Sequence, residues 1–395
     1  MDAVTNPYTP GAGSKPPALM GRDAEIDQLA LVLARLELGR HEKSMLINGL
    51  RGVGKTVLLN TFKTMAQEQG WYSVKFEIRH DTNLRATIVR HTKRLLLDMR
   101  RTERLKAQAT RALRVLKAFS IKTPDGFEFG VDVEAMVGTA DSGDLEIDLG
   151  ELLAELGRTA QEDGKGVIFL IDEIQFLNRS DLEALIAALH HVTQDELPVA
   201  IAGGGLPTLP RLAGEAKSYS ERLFMFPRLG TLTSEAASLA LTIPAERLDV
   251  EFEPDAVELA LELSDGYPYF LQEYGKHAWT IGKNSKITRQ DVADAHPRVL
   301  SDLDEGFFDV RLRRVTPRER RYIAAMASLG DGPQETSSIN ELLKRTNPGS
   351  TSPIRAELID KGLIYSPARG TVDFTVPHFA DFMRRTAPFD PATTD

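Results

Sequence analysis

The stretch Asn48–Asn60, NGLRGVGKTVLLN, constrains this chain more than any other. A short apolar run, Ser44–Asn48, leads into it, and Val57, Leu58, Leu59 and Phe62 open an amphipathic helix after it. A strand that enters a Gly-rich turn and leaves as a helix aims backbone N–H groups and the positive helix end at one point. That point suits a phosphate. The spacing Gly49, four residues, then Gly54-Lys55-Thr56 is the Walker A spacing. Gly49, Gly52, Val53, Gly54 and Val57 then contribute backbone to the cradle, Lys55 reaches the β- and γ-phosphates, and the Thr56 hydroxyl ligates Mg²⁺.

The same pattern recurs along the chain. Tyr72–Ile78 reads as a strand, and the apolar run Val167–Ile171 is a buried one that ends in Asp172 and Glu173. Leu197–Ala202 is a third, closed by Gly203, Gly204 and Gly205. Strands alternating with helices imply α/β architecture, a P-loop αβα sandwich around a parallel sheet. Asp172 would hold Mg²⁺ and its waters, and Glu173 would orient and polarise the attacking water. Acids after a strand can also be no more than favourable charges at a helix start. Paired with the phosphate loop, they make ATP/ADP with Mg²⁺ the expected ligands and hydrolysis the expected reaction.

Further residues have two readings each. Arg222, in SYSERLF, lies where an arginine finger would face the nucleotide of a neighbouring subunit, or it is a surface Arg paired with Glu221 or another acid. Arg228 competes for the role. Gly266-Tyr267-Pro268 either packs against the adenine or simply starts a helix with buried aromatics. His190 and His191 are adjacent, so they diverge on a helix and read as structural, with no metal set.

Length sets the domain count. With 395 residues, two or three packed units fit. The expected order is an extended arm over 1–20 and a nucleotide domain over 21–232, then a helical lid over 233–300, a winged helix-turn-helix over 301–387 and a tail over 388–395. Within the nucleotide domain, 85–150 is an insertion. It holds a basic helical stretch, Arg85–Lys117 with eleven Lys/Arg against two acids, and an acidic hairpin carrying Phe127, Phe129, Val131 and Val133. From Pro124 to Asp163 there are twelve acids against one Arg, which implies a polarised or self-associating surface, or two solvated faces. The chain has no cysteine, which excludes disulfides and thiolate chemistry. No apolar run is long enough to cross a bilayer, and the start lacks a signal-peptide pattern, so a cytoplasmic protein is expected.

The C-terminal third has its own signature. Thr316-Pro317-Arg318-Glu319 is a capping box with Pro at the first helical position. Ser338 and Ser352-Pro353 start two more helices, and strands over 363–366 and 372–376 flank a turn. Residues 311–321, RLRRVTPRERR, hold six Arg and one Glu and could meet the phosphates of double-stranded DNA, with Arg313, Arg314 and Arg318 in the patch. The expected recognition helix, 352–361, mixes Arg355 and Lys361 with Glu357 and Asp360, which suits a protein partner as well.

GRDAEI at Gly21–Ile26, GLRGVGKT, FLIDE, SERLF and GYP, followed by a winged helix, together resemble bacterial and archaeal AAA+ ATPases of the origin-recognition-like and STAND type. The resemblance spans roughly residues 6–385. It implies an αβα nucleotide domain, a lid and a winged helix, with Arg22 on the adenine side and Gly266 and Pro268 coupling lid to nucleotide. It also implies a switch whose nucleotide state controls homo-oligomeric assembly and a DNA-associated winged helix, or a signalling or remodelling role in stress or defence with a protein partner. Three glycines stand where the family often has a polar sensor, and no sensor Arg lies beside Gly266. The 116 residues between Lys55 and Asp172 exceed a minimal core.

Overall fold

The computed structural model describes every residue except 12, 14, 15, 122–129, 284, 346–348 and 393–395. Its centre is a parallel sheet of β1 (Ser44–Gly49), β2 (Tyr72–Glu77), β3 (Val167–Asp172), β4 (Val199–Gly205), β5 (Phe224–Met225) and β6 (Arg228–Leu229), ordered β2-β3-β4-β1-β5 with β6 also on β1. Every residue of β1, β3 and β4 is buried, as aliphatic runs covered by helices on both faces must be. Leu170 and Met45 both pair with Ala202, so the registers bring the carboxyl ends of β1, β3 and β4 to one edge. Ligands of such sheets bind there.

The insertion differs from the expectation in two ways. Its basic stretch is two helices, Leu84–Met99 and Lys106–Ile121, packed on each other, and the second packs on a third, Leu145–Gln161. The hairpin positions Phe127 and Phe129 lie outside the described residues, while Val131 and Val133 form no strand. Instead Lys117 donates to the Val133 carbonyl, and Met136 N–H to that of Arg114. The charge asymmetry is partly cancelled within the chain. Buried Arg85 pairs with buried Asp148 at 3.0 Å, and Arg111 meets Glu155 at 2.9 Å. Asp148 also accepts from Ser142 and Gly143, so this charge pair is fully hydrogen-bonded, as burial requires.

Beyond the sheet, helices Ser234–Glu246, Pro254–Ser264, Pro268–Ile281 and Arg289–Leu303 form a helical layer. The sequence predicts only helices here. The structure adds a two-residue parallel ladder, β7 (Glu251–Phe252) with β8 (Lys286–Ile287). The last helix runs through a π-helical segment, Asp304–Asp309, into Val310–Leu312. Phe307 stacks on Tyr269 at 4.6 Å and Phe308 on Phe382 at 5.2 Å, so this connector is pinned on both sides.

The C-terminal region has helices Pro317–Ser328, Thr336–Leu342, Ser352–Asp360 and Phe379–Thr386, with an antiparallel sheet of β9 (Gln334–Glu335), β10 (Ile364–Tyr365) and β11 (Thr371–Phe374) ordered β10-β11-β9. The capping box at Thr316 and Glu319 is formed, and Pro317 sits in the first turn. The second helix begins at Thr336, two residues before Ser338. β9 and the last helix are additions to the expected set; they close the wing and cover the first helix. One apolar cluster runs from the sheet through the helical layer into this region.

The N-terminal arm is docked. Tyr8 is buried against Gly275, where a Cβ would lie 2.5 Å from the ring. Trp279 donates to the Asp2 carbonyl at 2.9 Å and Asn6 to that of Lys276 at 2.8 Å.

Candidate nucleotide site

The glycine-rich turn caps helix Lys55–Glu68 with Gly54 at φ 96°, and Gly52 has φ 86°, conformations that exact a steric cost from any other L-residue. A Cβ on Gly54 would meet only open space, so backbone geometry rather than crowding selects glycine there. Lys55 is 6% exposed, and its ammonium donates to the carbonyls of Gly49 and Leu50 at 2.8 and 2.7 Å. Burial pushes it down to about 8, against the opposing pull of Glu173 and Asp172. A nucleotide's phosphates would restore the charge that burial disfavours.

Opposite the loop, Thr56 Oγ1 donates to Asp172 Oδ2 at 2.7 Å. A hydroxyl and a carboxylate so close at the end of β3 fit a hard cation. The open glycine cradle, the buried lysine and this pair together fit Mg²⁺-nucleotide. Asp172 Oδ1 accepts the Glu173 N–H at 3.0 Å, and Glu173 has φ 53°, a left-handed backbone that turns its side chain back toward the loop.

Two partners of Glu173 escape sequence reasoning. Arg51, inside the phosphate loop, reaches Glu173 Oε1 at 3.4 Å, and the Gln175 amide donates to Oε2. Gln175 also accepts the Leu206 N–H at 3.2 Å, spanning from the acid to the end of β4. Crowding at this edge accounts for the three glycines: a Cβ on Gly203 would lie 2.6 Å from the Leu46 side chain. A Cβ on Gly205 would lie 2.8 Å from Gln175 Oε1, and one on Gly204 would lie 3.2 Å from Asp172 Oδ1. Gln175 fills the place where a polar side chain from β4 would stand. The available signal was the pairing of a Gln two residues past Glu173 with a run of glycines.

A cavity of about 690 Å³ extends from the loop, a volume suited to a nucleotide. Arg22 and Pro268 line it. Arg22 donates to the carbonyls of Val53 at 3.1 Å and Gly230 at 2.8 Å, clamping loop to sheet edge, and burial lowers its affinity for the proton. Gly266 is behind the wall: it has φ 62°, and a Cβ would lie 2.9 Å from the Leu232 carbonyl. Tyr267 lies against Gly52, where a Cβ would approach its ring to 2.8 Å. The arm also borders the cavity. Gly13 crosses directly over Thr56, leaving 2.8 Å between a would-be Cβ and the threonine methyl.

Residues past the helical layer close the cavity. Arg311, Arg314, Lys361, Gly362 and Leu363 all line it. The Arg51 N–H donates to the Thr375 carbonyl at 3.0 Å, and Lys361 is held by both Glu319 oxygens at 2.6 and 2.7 Å.

Arg222 and Arg228 stay outside. Both are exposed, neither lines the cavity, and Arg222 makes no ion pair with a described residue. His190 packs on Tyr219 at 4.8 Å and His191 against Gly150. No helix among the described residues is long and apolar enough to cross a membrane.

Residues 18–202 match the family described as AAA ATPase domain, and residues 305–383 match one described as a domain of unknown function. No curated protein matches. Among solved structures, the Walker-type ATPase PABY2304 of Pyrococcus abyssi is similar at TM-score 0.58 and 18% identity, over 93% of this chain and 96% of that one. The Aeropyrum pernix Orc1 protein in complex with DNA has TM-score 0.44 and 19% identity, over 93% of each chain. The Thermotoga maritima RuvB Holliday junction branch migration motor has TM-score 0.45 and 17% identity, over 92% of this chain and 96% of that one. The fold is a parallel-sheet P-loop NTPase core followed by helical segments and a small antiparallel sheet of winged-helix-like form. The chain's AAA domain match supports ATPase activity in general terms.

Proposed function

We propose that this protein is a Mg²⁺-dependent ATPase switch whose nucleotide state governs the docking of its winged helix. The observation that carries this reading is Arg51, which meets Glu173 with its guanidinium and Thr375 with its backbone N–H. One residue of the phosphate loop therefore touches both the acid next to the phosphates and the output region.

The chain's own groups divide the work. Lys55 and the loop N–H groups hold the β- and γ-phosphates, and Thr56 and Asp172 would hold Mg²⁺, which when bound spreads the developing phosphate charge. Glu173, held by Gln175, orients water. Arg22, Gly266 and Pro268 shape the cavity and link it to the helical layer. Arg222, exposed and making no ion pair with a described residue, would complete the site of a second copy in a homo-oligomer.

For the output, Arg313, Arg314, Arg318 and Arg320 are exposed within eight residues and suit contacts to a duplex backbone. Helix Ser352–Asp360 exposes Glu357 and Asp360, which oppose base reading in a groove and favour, as a second reading, a protein partner in a STAND-like signalling role.

The test is paired. Lys55→Ala should abolish ATP binding, while Glu173→Gln should retain ATP and lose turnover by about a hundredfold or more. Undiminished hydrolysis by the Glu173→Gln protein removes that residue's role, and unaltered binding by Lys55→Ala removes the site.

A further inference from the structure

Arg311 stands in an unusual place for a cation. It belongs to the short helix Val310–Leu312, after the π-helical connector and before the winged helix. Its guanidinium lies 4.2 Å from the centroid of the Phe307 ring and donates to the Phe307 carbonyl. It lines the same cavity as the phosphate loop, beside Arg314. Neither arginine has a carboxylate partner among the described residues, in a chain with 57 acids against 48 Lys and Arg. Nearby Arg313, by contrast, turns outward and is paired with Asp309 at 2.7 Å.

Burial first, and then the neighbouring charges of Arg51 and Arg314 in the same sense, together push the Arg311 guanidinium down to about 10. Four arginines (Arg22, Arg51, Arg311 and Arg314) and two lysines (Lys55 and Lys361) line the cavity against three carboxylates, Glu77, Asp172 and Glu173, which leaves an excess of positive charge. Such a group is stable when an anion enters. The helical layer supplies no arginine beside Gly266, so the connector offers the cation that the layer lacks.

We infer that Arg311 is a ligand of the nucleotide's phosphates, supplied within the same chain from the connector to the winged helix. The inference rests on the proposed nucleotide site and deepens it. Arg311 is on the segment that carries the winged helix, so binding the polyphosphate and holding the connector in place are one event. The ligand class is a nucleoside di- or triphosphate, recognised through its terminal phosphates. A guanidinium is suited to bind them bidentately.

The experiment measures the Kd of fluorescent ADP and ATP for the full-length wild type, Arg311→Gln, Arg311→Lys, Arg313→Gln and Lys55→Ala. Thermal melting without nucleotide shows whether each variant is folded. Arg311→Gln should weaken both nucleotides about tenfold or more, with Arg311→Lys between it and the wild type. Arg313→Gln should bind as the wild type does. Nucleotide should also protect the 301–316 connector from protease in the wild type and fail to protect it in Arg311→Gln. If Lys55→Ala loses binding while folded Arg311→Gln stays within twofold of the wild type, the Arg311 assignment is overturned and the site stands. If the wild type binds neither nucleotide, both fall. Should Arg311→Gln not fold, the intermediate affinity of Arg311→Lys decides: affinity equal to the wild type, with equal connector protection, overturns the assignment.

Discussion

The backbone N–H of Arg51 donates to the carbonyl of Thr375 at 3.0 Å, joining the phosphate loop to the residue that follows β11. The contact is local on one side and 324 positions distant on the other, and it is braced by Gly362. A Cβ there would lie 2.7 Å from Arg51 Nη2. The winged helix therefore rests on the guanidinium that pairs with Glu173.

Gly362 makes this contact testable. Its φ is 66°, so Gly362→Ala incurs left-handed strain of about 1 kcal/mol and also pushes the Arg51 guanidinium away. Gly362→Ala should lower unfolding free energy by about 1–2 kcal/mol, and less once Arg51→Ala is present. A double-mutant cycle by urea denaturation measures the difference. Strict additivity would show that the two residues do not press on each other.

Gln175 is a positioning residue, acting through Glu173. Removing its amide frees Glu173 Oε2 and leaves the Leu206 N–H without its partner. Gln175→Ala should lower kcat about tenfold or more while KM for ATP stays within about twofold, because the phosphates are held elsewhere. A general loss of structure would move both constants. An unchanged kcat would remove the assignment.

Lys55 predicts opposite pH trends for folding and for binding. Its folded value, about 8, lies below the unfolded 10.5, so its buried charge costs stability at low pH. That cost is relieved as pH rises through the window from about 8 to 10.5, and the ligand-free protein gains stability from this group there. Nucleotide binding needs the charged form. Above pH 8 ATP should therefore bind more weakly, approaching tenfold per unit, with proton uptake seen by titration calorimetry in two buffers. Lys55→Arg should remove the uptake. Uptake that persists in Lys55→Arg assigns the proton to another group.

The parts of this site that were legible share one property: they are contiguous. Gly49–Thr56 and Val167–Glu173 each carry strand, turn and chemistry within a few residues, so spacing alone placed them on a common sheet edge. Arg51, Gln175 and Arg311 were not legible because their meaning depends on partners far along the chain. Arg311 read as one of six arginines in a basic run, and only the connector's path turns it away from Arg313. Arg85 likewise read as part of a basic surface, yet Asp148 draws it inside. The arm read as extended and apart, since nothing in its Pro- and Gly-rich composition announces that Tyr8 is buried or that Gly13 crosses Thr56.

The same reassignment sharpens what the basic run can do. Arg311 and Lys361 face the cavity and Arg313 is paired with Asp309, so four exposed arginines remain for a duplex: Arg313 at partial strength, Arg314, Arg318 and Arg320. Contacts to phosphates release counterions, and each lost contact should reduce the slope of log K against log salt by about one. Replacing Arg314, Arg318 and Arg320 by Ala should therefore weaken duplex binding equally across sequences and flatten the salt dependence by about three. Fluorescence anisotropy with two unrelated duplexes over a salt series gives the slope. Because Arg314 also lines the cavity, the variant carrying only Arg318→Ala and Arg320→Ala should lose about two while nucleotide affinity stays unchanged. No duplex retention at low salt by the wild type, in either nucleotide state, would leave the acidic face of Glu357 and Asp360 as the output surface and a protein as its partner.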